Sequence, residues 1–165
     1  MKPVTNLLIM AGGASSRMKR SLENSELSDA TKSIARSSHK SLIPLGKVKK
    51  PLLYYLIQNA VEAGYTDIYL VTSPENEAFQ QWVGTKSSHN SFAGAQVHFA
   101  IQYTPQGRDK PLGTADAVQQ AMDQYPILKT QYLTICNGDN FYSVKALALL
   151  HQVRDTPHAM ISYAR

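Results

Sequence analysis

Short apolar runs alternate along the chain with stretches of helical period, a pattern typical of a mostly parallel sheet covered by helices. Within one run, Val97, Phe99 and Ile101 alternate with polar or small residues, which indicates a strand with one exposed face. Five runs predict strands: Asn6–Ala11, Asp67–Thr72, Gln96–Gln102, Tyr132–Asn137 and Ala159–Ala164. We therefore expect an α/β fold with a Rossmann-like, doubly wound sheet and helices on both faces.

Four segments between or after these runs carry helix signals. In the clearest one, Pro51 stands at a first-turn position, an apolar face follows, and Gly64 ends the helix. The other three helices are expected to begin at Ser73-Pro74, Gly113-Thr114 and Ser143, and to end near Val83, Gln124 and Val153. These helices supply the layers that a parallel sheet needs on its faces.

Two further stretches lack a period. Residues 19–38 are rich in Ser, Lys and Glu, and residues 86–94 are rich in Ser and Asn, so both are predicted to be mobile loops. Because a long structureless segment is unusual inside a compact domain, we expect the first stretch to be a lid or an insertion beside the functional site.

Composition and charge limit the classes of ligand that fit this sequence. A chain of 165 residues with 43% hydrophobic and 18% charged residues is typical of one folded domain rather than of a disordered segment. The net charge of +5 suits an anionic ligand, and the basic residues crowd between Lys19 and Lys50. Nucleic acid is disfavoured, because this cluster lacks interleaved aromatic residues and a nucleic-acid-binding motif. A nucleotide or a phosphorylated sugar fits the same charge.

The sequence lacks the signals of secretion, membrane insertion, disulfide formation and zinc binding. The early apolar run over residues 7–11 is too short for a signal-peptide core or a membrane span, so we expect a cytoplasmic protein without membrane association. A single cysteine, Cys136, excludes an internal disulfide, and no close His/Cys cluster offers a zinc site. A homo-oligomer is compatible with the sequence.

Glycine-rich and polar segments follow three of the predicted strands. In a doubly wound sheet, ligands bind beyond the carboxyl ends of the strands, so these segments are expected to meet at one edge. They are Gly12-Gly13-Ala14-Ser15-Ser16-Arg17, Pro111-Leu112-Gly113-Thr114 and Asn137-Gly138-Asp139-Asn140.

The first segment and a lysine have the chemistry of a phosphate site. Gly12 and Gly13 allow a close backbone approach with amide donors turned toward the ligand, and Arg17 offers a planar cation. Taken alone, a tight turn with a surface arginine explains these residues equally well. Lys40 stands just before the apolar run at Leu42–Leu45, so it is expected next to buried structure. This position makes it a candidate for a further phosphate contact.

Asp139 is the candidate metal ligand. It follows a buried strand, where a carboxylate is costly without a cationic partner. Mg²⁺ takes one or two protein carboxylates and completes its shell with water and phosphates, so one aspartate suffices. The alternative is a turn aspartate that bonds to local backbone.

In this order, and together with Lys50-Pro51-Leu52-Leu53-Tyr54-Tyr55, the segments resemble the sugar nucleotidyltransferase family over residues 4–142. The resemblance implies a reaction in which a sugar phosphate oxygen attacks the α-phosphorus of a nucleoside triphosphate and pyrophosphate leaves. Arg17 and Lys40 are then the catalytic residues, and Asp139 binds the cofactor Mg²⁺. The implied nucleotide-binding residues are Ala11, Gly12, Gly13, Gln102, Gly113 and Thr114.

The chain departs from the family at several positions. Ala14-Ser15-Ser16 stands where a third glycine is common, and Ser-Ser-Arg-Met is similar to molybdenum-cofactor nucleotidyltransferases. His39 replaces a proline that commonly precedes the lysine, and Asp116 replaces a histidine. Family members also continue into a sugar-binding half, so residues 1–165 are expected to form one domain that lacks it.

Two alternatives remain beside the expected partners, a nucleoside triphosphate and a phosphorylated small molecule. In the first alternative, the acceptor is choline phosphate or molybdopterin, and the Ser-Ser-Arg-Met segment favours this alternative. In the second, the chain is a regulatory protein that binds a nucleotide without turnover. Retention of both Lys40 and Asp139 favours catalysis.

Overall fold

The computed structural model describes residues 3–13, 15–83, 90–152 and 158–162, without the side chains of Ser16 and Arg17. The strands are β1 (Asn6–Met10), β2 (Pro44–Leu45), β3 (Lys50–Pro51), β4 (Asp67–Thr72), β5 (Ser91–Phe92), β6 (Ala95–Ile101) and β7 (Leu133–Asn137). The α-helices are α1 (Ser16–Ser21), α2 (Asp29–Ser37), α3 (Leu52–Glu62), α4 (Glu77–Val83), α5 (Thr114–Gln124) and α6 (Val144–His151). Two short 3₁₀ helices are η1 (Lys40–Leu42) and η2 (Pro126–Lys129).

The main sheet has the order β5-β6-β4-β1-β7, and β1, β4, β6 and β7 run parallel. The chain moves outward from β1 through β4 to β6, and then crosses back to β7 on the other side of β1. This reversal places the switch point of a doubly wound sheet between β1 and β7. The predicted fold class is confirmed.

Helices cover both faces of this sheet. Successive side chains of a strand point to opposite faces, and β1 is buried on both. Leu7 and Ile9 pack in one cluster with Leu53 and with the other apolar residues of α3, α4 and α6. Leu8 packs in a second cluster with Ala117 of α5. The buried centre of the sheet therefore holds the carboxyl end of β1 in place.

Most predicted boundaries agree closely with the structure. The strand Asp67–Thr72 is found residue for residue, and Ser143 caps α6 by accepting a hydrogen bond from the Ala146 N–H. The second predicted helix begins at Glu77 rather than at Ser73-Pro74. Buried Asn76 explains the later start, because its carbonyl accepts from the first turn of the helix.

The prediction of a mobile loop over residues 19–38 is wrong, because α1 and α2 occupy most of this stretch. The Ser28 side chain accepts from the Thr31 N–H and caps α2, and Asp29 adds favourable charge to its first turn. Leu22 and Ala35 are the buried residues that anchor the stretch. The polar composition of this stretch indicated a loop, although the two short helices form with few apolar contacts.

The second loop prediction is wrong for the part that is described. Ser91–Phe92 pairs antiparallel with β6, while residues 86–89 lie outside the described part of the chain. Ala93 and Gly94 both have positive φ, 53° and 92°, and form the two-residue turn of a hairpin.

The predicted strand Ala159–Ala164 is not found over its described residues. Residues 158–162 are neither strand nor helix, and Met160 is 88% exposed. In the described residues, this segment pairs with no strand of the main sheet. Residues 163–165 lie outside the described part. None of the described helices has the length and apolar character that a membrane crossing requires.

Candidate functional site

A cleft of about 1070 Å³ lies at the carboxyl end of the parallel strands. The ends of β1, β4, β6 and β7 form its floor together with the loops that follow them. The cleft is lined by most of the residues that the sequence predicted for the site: Ala11, Gly12, Gly13, Lys40, Gln102, Gly113, Thr114 and Asp139. Arg17 lies in α1, and its side chain is outside the described part.

The two glycines of the first loop serve different purposes. A Cβ added to Gly12 would lie 3.2 Å from the carbonyl carbon of Thr72, so a side chain there would crowd the end of β4. A Cβ added to Gly13 would meet nothing within 4 Å. Packing therefore explains Gly12, whereas the missing side chain of Gly13 leaves open space in the cleft.

Ser15 links this loop to the lysine segment. Its φ of 55° is in the left-handed region, which costs a residue other than glycine about 1 kcal/mol. The side chain is buried, and its Oγ accepts a hydrogen bond from the Lys40 N–H at 3.2 Å. Ser15 thus adopts the left-handed conformation and adds a contact to the lysine segment that sequence reasoning missed.

Lys40 and Asp139 form an ion pair in the cleft although 99 residues separate them in sequence. Lys40 begins η1, and the next two residues, Ser41 and Leu42, are buried and anchor it. Both charged side chains are about one-third exposed, at 32% and 34%. A pair this exposed to water contributes little to stability. The cationic partner expected for Asp139 is therefore present within the protein.

His39 is a further residue of the cleft, and sequence reasoning noted it only as a departure from the family. Its Nδ1 lies 2.9 Å from the Ser41 Oγ, its ring packs against Phe79, and its Nε2 is buried. Burial lowers the pKa of His39; a backbone interaction with Gly13 opposes this, and the Lys40 charge adds to it. The lowered pKa favours the neutral form of the imidazole beside the glycine loop.

The opposite wall of the cleft is built around Gln102. This side chain is buried, and its Nε2 donates to the Gly113 carbonyl at 3.0 Å and to the Asp116 carboxylate at 2.9 Å. Gly113 has a φ of 115°, which a side chain rarely permits, and Thr114 begins α5 directly after it. Three predicted nucleotide-binding residues, Gln102, Gly113 and Thr114, thus form one connected structure, and Asp116 is the member that sequence reasoning missed.

A comparison with models of known protein families identifies the family of this chain. The family model described as nucleotidyl transferase matches residues 7–164. The chain belongs to the nucleotidyl transferase family.

Similar proteins of this family carry sugar-phosphate names. Glucose-1-phosphate thymidylyltransferase of Neisseria gonorrhoeae is 32% identical over 101 residues, and that of Neisseria meningitidis is 30% identical. Each alignment covers 61% of this chain and 28% of the relative. UDP-glucose pyrophosphorylase from Acinetobacter baumanii is 16% identical, with a TM-score of 0.57 over 82% of this chain and 46% of that chain. This last likeness confirms the nucleotidyltransferase fold, and the chain spans less than half of each of these proteins.

The carboxylates of the cleft suit Mg²⁺ better than a metal held wholly by protein. Within the described residues, no three His, Cys, Asp or Glu side chains cluster as a metal site. Asp139 offers a carboxylate that is partly open to the cleft. Mg²⁺ takes most of its ligands from water and substrate phosphates, whereas zinc and calcium sites need several protein ligands. One carboxylate that is partly open to the cleft fits a magnesium ion.

Proposed function

We propose that this nucleotidyl transferase family member transfers a nucleoside monophosphate from a nucleoside triphosphate to a sugar 1-phosphate and releases pyrophosphate. The observation that carries the proposal is the Lys40–Asp139 ion pair, held in the cleft where Gly13 leaves open space. An ammonium next to a carboxylate suits a magnesium-bound polyphosphate, because the lysine attracts phosphate oxygens while the aspartate attracts the metal. In the ligand complex, each charge would exchange its present partner for part of the ligand.

The cleft has a second side that suits a nucleobase. Gln102, Gly113 and Thr114 line it at the end of β6 and the start of α5, away from the charge pair along the same edge. A volume of about 1070 Å³ is at the upper end for small-molecule pockets, so a nucleotide and part of an acceptor fit together. We assign base recognition to this side.

In the proposed reaction, an oxygen of the sugar phosphate attacks the α-phosphorus while the bond to pyrophosphate breaks. Lys40 would offset charge on the phosphate oxygens, and the backbone amides around Gly13 would donate to them. Mg²⁺, when held at Asp139, supplies further neutralisation of phosphate charge. Arg17 is proposed as a second cation from the resemblance alone. Positioning and charge complementarity then supply most of the catalysis.

The names of similar proteins bear on the acceptor. The names of the relatives specify glucose 1-phosphate, and this favours a sugar 1-phosphate here. The chain spans 28% of their length, so most of their sequence has no counterpart in the comparison. We infer that the described fold supplies the nucleotide side of the reaction.

A screen of pyrophosphate release tests the proposal. Five nucleoside triphosphates would be combined with glucose 1-phosphate, choline phosphate or molybdopterin, in the presence of Mg²⁺. We expect release with the sugar phosphate and a loss of about 100-fold or more in Lys40→Ala. The matched control is Lys129→Ala, which removes an exposed lysine paired with Asp123 away from the cleft.

Two results would contradict the proposal. Release with choline phosphate or molybdopterin alone would refute the sugar acceptor, and equal turnover in wild type and Lys40→Ala would refute the site. Tight nucleotide binding without release with any acceptor would instead favour the regulatory alternative.

A further inference from the structure

The orientation of the Gln102 amide is fixed by chemistry on one side. Its Nε2 faces the Gly113 carbonyl and the Asp116 carboxylate, and both of these groups can only accept hydrogen bonds. A flipped amide would set its oxygen against two acceptors, which is unfavourable. The amide oxygen of Gln102 is therefore held on the other side and accepts from no group in the described part of the chain.

Asp116 is itself held by a neighbour on α5. The Gln120 Nε2 donates to the same carboxylate oxygen at 2.9 Å. Gln120 also accepts from the Tyr103 N–H at 2.8 Å and donates to the Tyr103 carbonyl at 3.1 Å, as the backbone of an adjacent strand would. Since Tyr103 directly follows Gln102, the network closes on itself. This arrangement fixes Asp116 relative to the end of β6.

We propose that Asp116 is a positioning residue that holds Gln102 as a hydrogen-bond acceptor toward the nucleobase. It thereby favours bases whose Watson–Crick ring nitrogen carries a proton, namely uracil, thymine and guanine. This inference rests on the proposed nucleotide site, in which Gln102 faces the base. The ring nitrogens of cytosine and adenine at that edge are acceptors and would oppose the amide oxygen.

The ratio of affinities for UTP and CTP measures this effect. Equilibrium dissociation constants would be determined with Mg²⁺ for wild type and Asp116→Ala. We expect wild type to prefer UTP, and Asp116→Ala to reduce the ratio about tenfold, chiefly through weaker UTP binding. Asp116→Asn keeps an oxygen that can accept from both glutamines, so it should retain most of the preference.

A matched control separates this effect from a loss of charge on α5. Asp123 lies on the same helix and contacts Lys129 and Gln119 at the exposed surface. Asp123→Ala should leave the UTP to CTP ratio at the wild-type value. An unchanged ratio in Asp116→Ala, with nucleotide binding intact, would overturn the proposal.

A second measurement does not depend on nucleotide binding. In wild type, the side-chain amide protons of Gln102 should exchange slowly with solvent in an NMR experiment, because two acceptors hold them. Asp116→Ala should speed this exchange, while Asp123→Ala should not. Exchange at an unchanged rate would refute the positioning role. If wild type bound no nucleotide, the proposed function would fail, and the amide exchange would still decide whether Asp116 fixes Gln102.

Discussion

Each end of the parallel sheet carries an aspartate paired with a basic side chain, and the two pairs differ in their surroundings. Near the amino end, the Asp67 Oδ1 lies 3.3 Å from the His98 Nε2, on the neighbouring strands β4 and β6. At the carboxyl end, Asp139 pairs with Lys40, which comes from a separate segment. The first pair joins adjacent strands whose register sets Asp67 opposite Gln96, two residues from His98, whereas the second joins η1 and the loop after β7.

The amino-end pair belongs to a packed wall. His98 stacks on Tyr69 with 4.5 Å between ring centroids, and Tyr125 meets both rings edge-on. The other carboxylate oxygen of Asp67 accepts from the Thr66 hydroxyl. Burial, followed by the Asp67 charge, raises the pKa of Tyr69 to about 12. The groups of this cluster thus already have partners inside the protein.

The carboxyl-end pair is presented to open space. Its two side chains line a cleft beside the glycine at position 13, next to the strained backbone of Ser15. Strained backbone is a cost that the packed wall does not carry, and such strain concentrates at functional sites. An ion pair therefore indicates function here through its surroundings rather than through its charges.

The largest predicted effect separates the two aspartates. Asp139→Asn should lower pyrophosphate release about 100-fold or more, because the charge that attracts the metal is lost, while stability changes by less than about 1 kcal/mol. Asp67→Asn should leave turnover within about twofold and change stability by a similarly small amount. Steady-state kinetics and thermal unfolding of both variants measure these outcomes. A comparable loss of turnover in both variants would remove the distinction between the two ends.

Sequence alone predicted the sheet and the edge at which the site lies. The apolar run of β4 and the Pro51 and Gly64 punctuation of α3 are local signals that burial reinforces. Because parallel strands bring their carboxyl ends together, the strand order also placed Asp139 at the same edge as the glycine loop, whereas Lys40 was expected only beside buried structure. What local patterns could not supply is that these two side chains would meet directly.

The misses share a physical cause. The helices α1 and α2 are mostly polar, and the buried residues of this stretch are chiefly Leu22 and Ala35, so its composition resembled that of a loop. The hydrogen bond from Lys40 to Ser15 and the contact between Gln102 and Asp116 join segments that are distant in sequence. Such contacts depend on the packed fold, and only the unusual residues at positions 15 and 116 hinted at them.

The next prediction contrasts the glycines at positions 12 and 13. Gly12→Ala should destabilise the fold by about 1–3 kcal/mol, because its Cβ would press on the Thr72 backbone. Gly13→Ala should leave stability within about 0.5 kcal/mol and weaken nucleotide binding about tenfold, because its Cβ would enter the cleft. Denaturant unfolding and nucleotide titration measure the two effects. If Gly13→Ala bound nucleotide as wild type does, the open space there would not be a ligand position.

The smallest predicted effect concerns pH and again separates the two ends. The pKa of His39 is lowered from 6.5 in the folded protein, so the unfolded chain takes up a proton that the folded chain resists. Stability should therefore fall as pH drops below about 6.5, with a slope of at most about 1.4 kcal/mol per pH unit from this group. His39→Gln should flatten the slope between pH 7 and 5, as measured by denaturant unfolding. Tyr69→Phe is the control at the amino end, because a hydroxyl with a pKa of about 12 does not titrate in this range. An equal slope in His39→Gln and wild type would show that the imidazole is not held neutral by the cleft.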